Sequence, residues 1–421
     1  MCVMPLLAAC WLPIRGGDMN HCIGKTLLTI SLLVFCTAAF AAEIPGTTVE
    51  ALADGQKYSR AIHIMAMLLV GFGFLMVFVK KYGRSALTAT YLLVSVSLPL
   101  YFLKASYFGA ASTESVIDKL ILAEFAAASL LICAGAVLGR LKMYQYMLLG
   151  ILFVPFYALN EWIVLEGGLG LVTGKVVDTG GCIVIHAFGA IFGLCVAASM
   201  TTRREYETVI ECDDTSDRYS LLGSMVLWVF WPSFCAALVA PADVPRTAVN
   251  VILALCGSTI ATYFASVTLR KKISAADIAN ATLAGGVAIG STCDLASPAA
   301  AFTIGIVAGA VSTFGFAVIQ AKLTDLTKKV DTCGVLYLHG IPGIFGGLAA
   351  LFVTAGINAA AQLTGIVITV AVAAVAGLLS GKVIAILGRR AEPYTDAEEF
   401  ECEECEEQEA QACIAAGSTF P

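Results

Sequence analysis

Two histidines stand at matching places in the chain. His186 lies eight residues after Asp178 in the run DTGGCIVIHAFGAIFG, and His339 lies eight residues after Asp331 in DTCGVLYLHGIPGIFGG. Both runs open Asp-Thr, reach a glycine within two residues, and continue past the histidine with spaced glycines. These are Gly189 and Gly193 in the first copy, and Gly340, Gly343, Gly346 and Gly347 in the second. Two neutral imidazoles side by side share a proton, one ring donating and the other accepting. A small solute with N–H donors and a lone pair can bond along such a pair. Charging a buried imidazole is costly, so the pair is expected to carry no fixed charge. The two aspartates stand too far along the chain to touch the rings. They are expected to orient the ends of the two segments by accepting backbone or side-chain N–H bonds. For Asp178, drawing a cation toward an outer vestibule is the alternative. A single histidine in an apolar helix reads equally well as a core residue bonded to a neighbour. Two at matching positions of a repeat read as a pathway, because ionisable groups at membrane depth are costly and commonly line one. Only His63 rivals them beyond the N-terminal signal.

The elements that must carry these residues are apolar helices. The chain has 421 residues, is 59% hydrophobic and only 13% charged, against about 25% charge in a soluble domain. Its mean hydropathy is +0.86. Segments long enough to cross a bilayer, roughly 20 apolar residues, centre on 60–79, 86–103, 117–139, 144–165, 179–200, 219–240, 247–269, 277–294, 298–320, 334–355 and 361–387. That is eleven spans. Lys and Arg collect in alternate loops: Lys80, Lys81 and Arg84; Arg140 and Lys142; Arg203 and Arg204; Arg270, Lys271 and Lys272; Lys322, Lys328 and Lys329; Arg389 and Arg390. The opposite loops are poorer, with Lys104, Lys119, Lys175 and Arg246. Positive loops stay in the cytoplasm, which places residue 43 outside and the C-terminus inside. Five spans separate the two histidine segments, so the segments run in opposite directions. That is an inverted repeat of five plus five helices with a final helix, a plan that sets the substrate site near the bilayer midplane. Counted as helix, eight residues rise about 12 Å, which brings both histidines to that depth.

The ends read differently. Residues 19–43, MNHCIGKTLLTISLLVFCTAAFAAE, carry a positive residue, an apolar stretch and an Ala-Phe-Ala cleavage signal, the pattern of a secretory signal. Residues 1–42 are read as that signal, with Met19 as the start. Residues 43–390 form the membrane domain. Residues 391–421 are expected to be a disordered acidic cytoplasmic tail, since nine acids crowd into DAEEFECEECEEQE. Its Cys402 and Cys405 make a lone C-x-x-C, too little for a metal site, and the other cysteines are read as small apolar side chains. Gly24-Lys25-Thr26 lacks the leading glycine of a phosphate loop. Asn280-Ala281-Thr282 is a glycosylation sequon set aside because it falls on the cytoplasmic side. Without a basic patch, a nucleotide loop, a nucleophile elbow or a zinc-spaced cluster, neither nucleic-acid binding nor enzyme activity is expected, and no cofactor or metal.

With these residues in view, the chain resembles the Amt/Rh ammonium transporter superfamily, and within it the Rh branch. The matching segments are AEFAAASLLICAGAVLGRL (123–141), NEW (160–162), DTGGCIVIHAFGAIFGL (178–194), WPSF (231–234), ATLAGGVAIGS (281–291) and DTCGVLYLHGIPGIFGG (331–347). The resemblance implies a homotrimer in the lipid bilayer of the plasma membrane, with one ammonia-conducting pore per subunit. It makes His186 and His339 the paired pore histidines, and Phe125 and Phe234 the stacked gate above them. Asp178 becomes the acid near the outer mouth, Glu161 a vestibule acid and Asp331 the acid on the cytoplasmic side. Two departures touch the pore. Cys235 follows Phe234 where the family usually has Asn, and Val335-Leu336-Tyr337 replace more polar residues before His339. Nothing in the tail marks a site for the PII regulator that the Amt branch binds. The expected function is passive conduction of ammonia. The alternatives are an ammonium sensor, or a channel for another neutral gas such as carbon dioxide.

Overall fold

A computed structural model describes residues 48–104, 115–398 and 400–401. Among these residues the chain is helical, without a β-strand. The main helices are α1 Ala51–Phe78, α2 Gly83–Phe102, α3 Val116–Ala136, α4 Met143–Leu165, α5 Cys182–Met200 and α6 Asp214–Cys235. They continue with α7 Val244–Arg270, α8 in two pieces (Ala275–Ala281 and Ala284–Ile289), α9 Pro298–Thr327, α10 Leu336–Val353 and α11 Ala359–Ile386. Eight of these (α1, α2, α4, α5, α7, α9, α10 and α11) are long and apolar enough to cross a membrane. Helices α3, α6 and α8 lie outside that set; α6 opens on a charged turn, and α8 is broken.

Polar side chains fix the helix starts by accepting otherwise unpaired backbone N–H groups. Asp213 takes Thr215 N (3.1 Å) and Ser216 N (2.8 Å), Ser297 takes Ala300 N (3.2 Å) and Asn358 takes Ala361 N (3.0 Å). Hydropathy places most boundaries within a few residues. It misses the first turns of α1, where Asp54, Lys57 and Arg60 are helical but polar.

Lipid-solvated helices gain little from burying apolar surface against each other, so close packing of small residues holds them together. Two glycines of the histidine runs serve this purpose. A Cβ at Gly189 would lie 2.5 Å from the Ser129 carbonyl oxygen of α3, and one at Gly343 would lie 2.5 Å from the Cys182 carbonyl oxygen of α5. Helix α5 is thereby wedged between α3 and α10.

Two expectations change. The eight residues from Asp178 to His186 are not all helix. The chain turns through a left-handed glycine, Gly181 (φ 74°), before α5 begins, and through Gly334 (φ 68°) before α10. The 12 Å rise does not apply, because each aspartate sits in that turn ahead of its helix. The tail also starts later than residue 391. Tyr394 is buried and its N–H bonds Gly139 O at 2.8 Å, while the Asp396 carboxylate accepts Arg84 N (2.8 Å) and Ser85 N (2.9 Å) at the start of α2. Arg390 stacks on the Tyr394 ring and pairs with Glu398. Composition alone hid this strap because its one large aromatic stands in an acidic stretch. The signal segment and residues 402–421 lie outside the described residues.

Candidate functional site

The two histidine helices are built alike. After its left-handed glycine each opens with a wide π-turn, Cys182–Ala187 in α5 and Leu336–Gly340 in α10, a form often found at functional positions. The aspartate ahead of each turn folds back over the helix start. Asp178 accepts Ile183 N (3.1 Å), Val184 N (2.9 Å) and the Ser291 hydroxyl (2.7 Å). Asp331 accepts Val335 N and Leu336 N, both at 3.0 Å. Both carboxyls lie just outside the apolar spans. Burial pushes each up to about 6, with the N–H donors pulling the other way.

These starts aim two rings at each other. His186 Nδ1 and His339 Nδ1 are 3.2 Å apart, and the rings are nearly parallel, 6° between planes. Both are almost fully enclosed, at 2% and 3% exposure. One Nδ1 must carry the proton and the other accept it. The donor ring then has a bare Nε2 and the acceptor ring an Nε2–H, so either tautomer leaves one donor and one acceptor at the outer edges of the pair. His186 Nε2 has no protein hydrogen-bond partner among the described residues.

An aromatic ladder flanks the pair. Phe125 and Phe234 have centroids 4.7 Å apart, Phe234 is 6.1 Å from His186, and Phe72 is 6.2 Å from His339. Trp231 lies 5.7 Å from His186 at 18°, stacked on the ring. Cavities open at both ends. On the Asp178 side a mouth of about 360 Å³ is lined by Phe125, Tyr157, Glu161, Lys175, Asp178 and Asp294. On the other side a small void of about 20 Å³ touches His339, Phe72 and Asn280. It shares Phe78, Asn280 and Cys333 with a further cavity of about 80 Å³ that reaches Asp217, Ser220 and Gln320.

Phe125, Phe234, Asp178 and Glu161 line the outer mouth or flank the histidine pair, and Asp331 caps the start of α10 that carries His339. Glu161 is placed differently from a free vestibule acid. It is buried, accepts from the Tyr101 hydroxyl, and pairs with Lys104 Nζ at 2.8 Å; Lys104 also holds Glu166. His63, the other candidate, stands apart and bonds the Ser233 hydroxyl at 2.8 Å. Sequence reasoning missed Trp231, Phe72, Asn280 and Asp294. Trp231 sits inside the quoted WPSF, three residues before Phe234, where one helical turn puts both on the same face.

A bundle of apolar helices closed around a polar ring pair between two cavities has the architecture of a membrane channel or transporter. Residues 26–409 match the Ammonium Transporter Family, and the chain belongs to that family. Its likeness places it in the Rh branch. It is 36% identical over 351 residues to ammonium transporter Rh type A of Bos taurus, covering 80% of both chains. A solved structure described as "Nitrosomonas europaea Rh50 and mechanism of conduction by Rhesus protein family of channels" superposes with a TM-score of 0.80. That match is at 51% identity over 86% of this chain and 97% of the other. A solved "Sensor Amt Protein", 18% identical with a TM-score of 0.67 over 79% and 92%, shares the fold alone.

Proposed function

We propose that this ammonium transporter conducts ammonia passively along the His186–His339 pair. Ammonium enters the mouth at the Asp178 side, passes the Phe125–Phe234 rings and gives up its proton before or at the histidines. Ammonia then moves past His339 and Asn280 to the Asp331 side. The observation that carries this is the Nδ1–Nδ1 approach of 3.2 Å between two buried rings that stand between the two cavities. An apolar, aromatic-lined passage disfavours a bare cation, while the donor and acceptor at the outer edges of the pair match a neutral ammonia molecule.

In the same reading the chain crosses the plasma membrane eleven times as an inverted repeat, with its mature N-terminus outside and its C-terminus in the cytoplasm. The alternation of Lys- and Arg-rich loops supports that orientation. It works as a homotrimer with one pore per subunit, as its family membership implies. Residues 1–42 serve as the secretory signal.

The test is reconstitution into proteoliposomes carrying an internal pH dye. An ammonium chloride pulse should alkalinise vesicles with the protein faster than empty ones. Equal traces would refute conduction and favour a sensor. Acceleration of a carbon dioxide pulse, without an ammonium effect, would favour the neutral-gas alternative.

A further inference from the structure

The pore reading needs a carboxylate that first receives ammonium, and the two acids expected to do so are already engaged. Asp178 is capped into the start of α5 by two backbone N–H groups and the Ser291 hydroxyl, and it is 6% exposed. Breaking those bonds for a cation would free the start of the helix that carries His186. Glu161 is neutralised by Lys104 Nζ at 2.8 Å and bonded by the Tyr101 hydroxyl. The same ammonium group of Lys104 also takes Glu166. Lys104 therefore holds the vestibule acid in an ion pair, so that it does not stand free in the mouth.

One more carboxylate lines that mouth. Asp294 follows the α8 segment, shares the cavity with Phe125, Tyr157 and Asp178, and is half-buried. Its Oδ1 is enclosed without a hydrogen-bond partner, and no ion pair reaches it among the described residues. Lys175, exposed at the same mouth, is the only basic side chain lining this cavity among the described residues. A half-buried carboxylate without a partner costs free energy that a bound cation recovers. The aromatic rings of Phe125 and Tyr157 add cation-attracting faces.

We propose that Asp294 is the residue that binds ammonium at the mouth, and that Lys104 keeps Glu161 out of that role. This rests on the pore reading above. Asp294 concentrates the cation beside Phe125, and the histidine pair handles the deprotonated form beyond it. The two acts separate kinetically, since a residue that only captures substrate changes the half-saturating concentration more than the limiting rate.

The experiment measures initial alkalinisation in proteoliposomes over a range of ammonium chloride concentrations at low ionic strength, where surface charge is least screened. Asp294→Asn should raise the half-saturating concentration at least roughly fivefold, the equivalent of one unit charge about 4 Å away in bulk water. Its limiting rate should stay within about twofold on the same kinetic reasoning. Asp294→Glu should restore the wild-type curve. Glu161→Gln should leave half-saturation near wild type. The double variant Lys104→Gln/Asp294→Asn should regain affinity because it releases Glu161. Asp294→Ser provides a second removal of the charge if the asparagine variant elutes aggregated. Superimposed curves for wild type, Asp294→Asn and Asp294→Ser would overturn the proposal, as would a shift confined to Glu161→Gln. A wild type no faster than empty vesicles would overturn the pore reading instead, so the two failures are distinct.

Discussion

Replacing Asp178 by asparagine, and separately by alanine, separates the two roles that the sequence left open for it. The carboxylate holds Ile183 N, Val184 N and the Ser291 hydroxyl at 2.7–3.1 Å. Alanine leaves all three donors unsatisfied in a buried place, at about 1–3 kcal/mol each. Such terms overlap, so the loss is on the order of 3–6 kcal/mol. Asparagine keeps one acceptor oxygen but turns an amide N–H toward a donor, for a loss of about 1–3 kcal/mol. His186 is only two residues past Val184, so a loosened α5 start moves the ring. The 3.2 Å bond to His339 has little slack before it exceeds hydrogen-bonding range. Thermal unfolding in detergent should rank wild type above asparagine above alanine, and limiting ammonia flux should fall in the same order. Unchanged stability with only a raised half-saturating concentration would refute the orienting role and make Asp178 the cation-recruiting acid.

Other sites test other parts of the account. Phe125→Ala or Phe234→Ala opens the ring pair at 4.7 Å and should raise methylammonium flux relative to ammonium, at a stability cost of about 3–5 kcal/mol; a comparison of the two fluxes in one preparation checks it. Gly343→Val drives side-chain carbons into the Cys182 carbonyl oxygen, already 2.5 Å from an ideal Cβ. It should lower the unfolding temperature far more than Gly55→Ala, where nothing lies within 4 Å. Asp396→Ala removes the cap on Arg84 N and Ser85 N, worth about 0.5–2 kcal/mol. It should speed amide exchange across the first turn of α2 and residues 391–398 while leaving exchange in α5 unaltered.

The helices and the repeat were legible because the bilayer imposes them: hydropathy marks the apolar lengths, and the duplicated Asp-Thr and His marks the pair. The π-turns were not legible, since their cause lies in backbone geometry. Even so, the signal was present: Gly181 and Gly334 each stand three residues after the aspartate, and both take positive φ. Treating the run as unbroken helix hid the way Asp178 and Asp331 cap their own helices. Lys104 and Glu161 are 57 residues apart, so no local pattern could reveal that one neutralises the other. Asp294 was passed over for a related reason. A lone aspartate at a helix end looks like a solvated cap until the mouth around it is built. Tyr394 shows the limit of composition, since one buried ring docks a segment whose charge predicts solvation.

The central claim is that ammonia passes along the histidine pair. The most direct measurement compares wild type with His186→Ala/His339→Ala at matched amounts of reconstituted protein. It reads the initial rise of internal pH after an ammonium chloride pulse, with empty vesicles as the baseline. The account predicts that the double variant remains folded but falls to the empty-vesicle rate. A folded double variant that alkalinises vesicles as fast as wild type would contradict it.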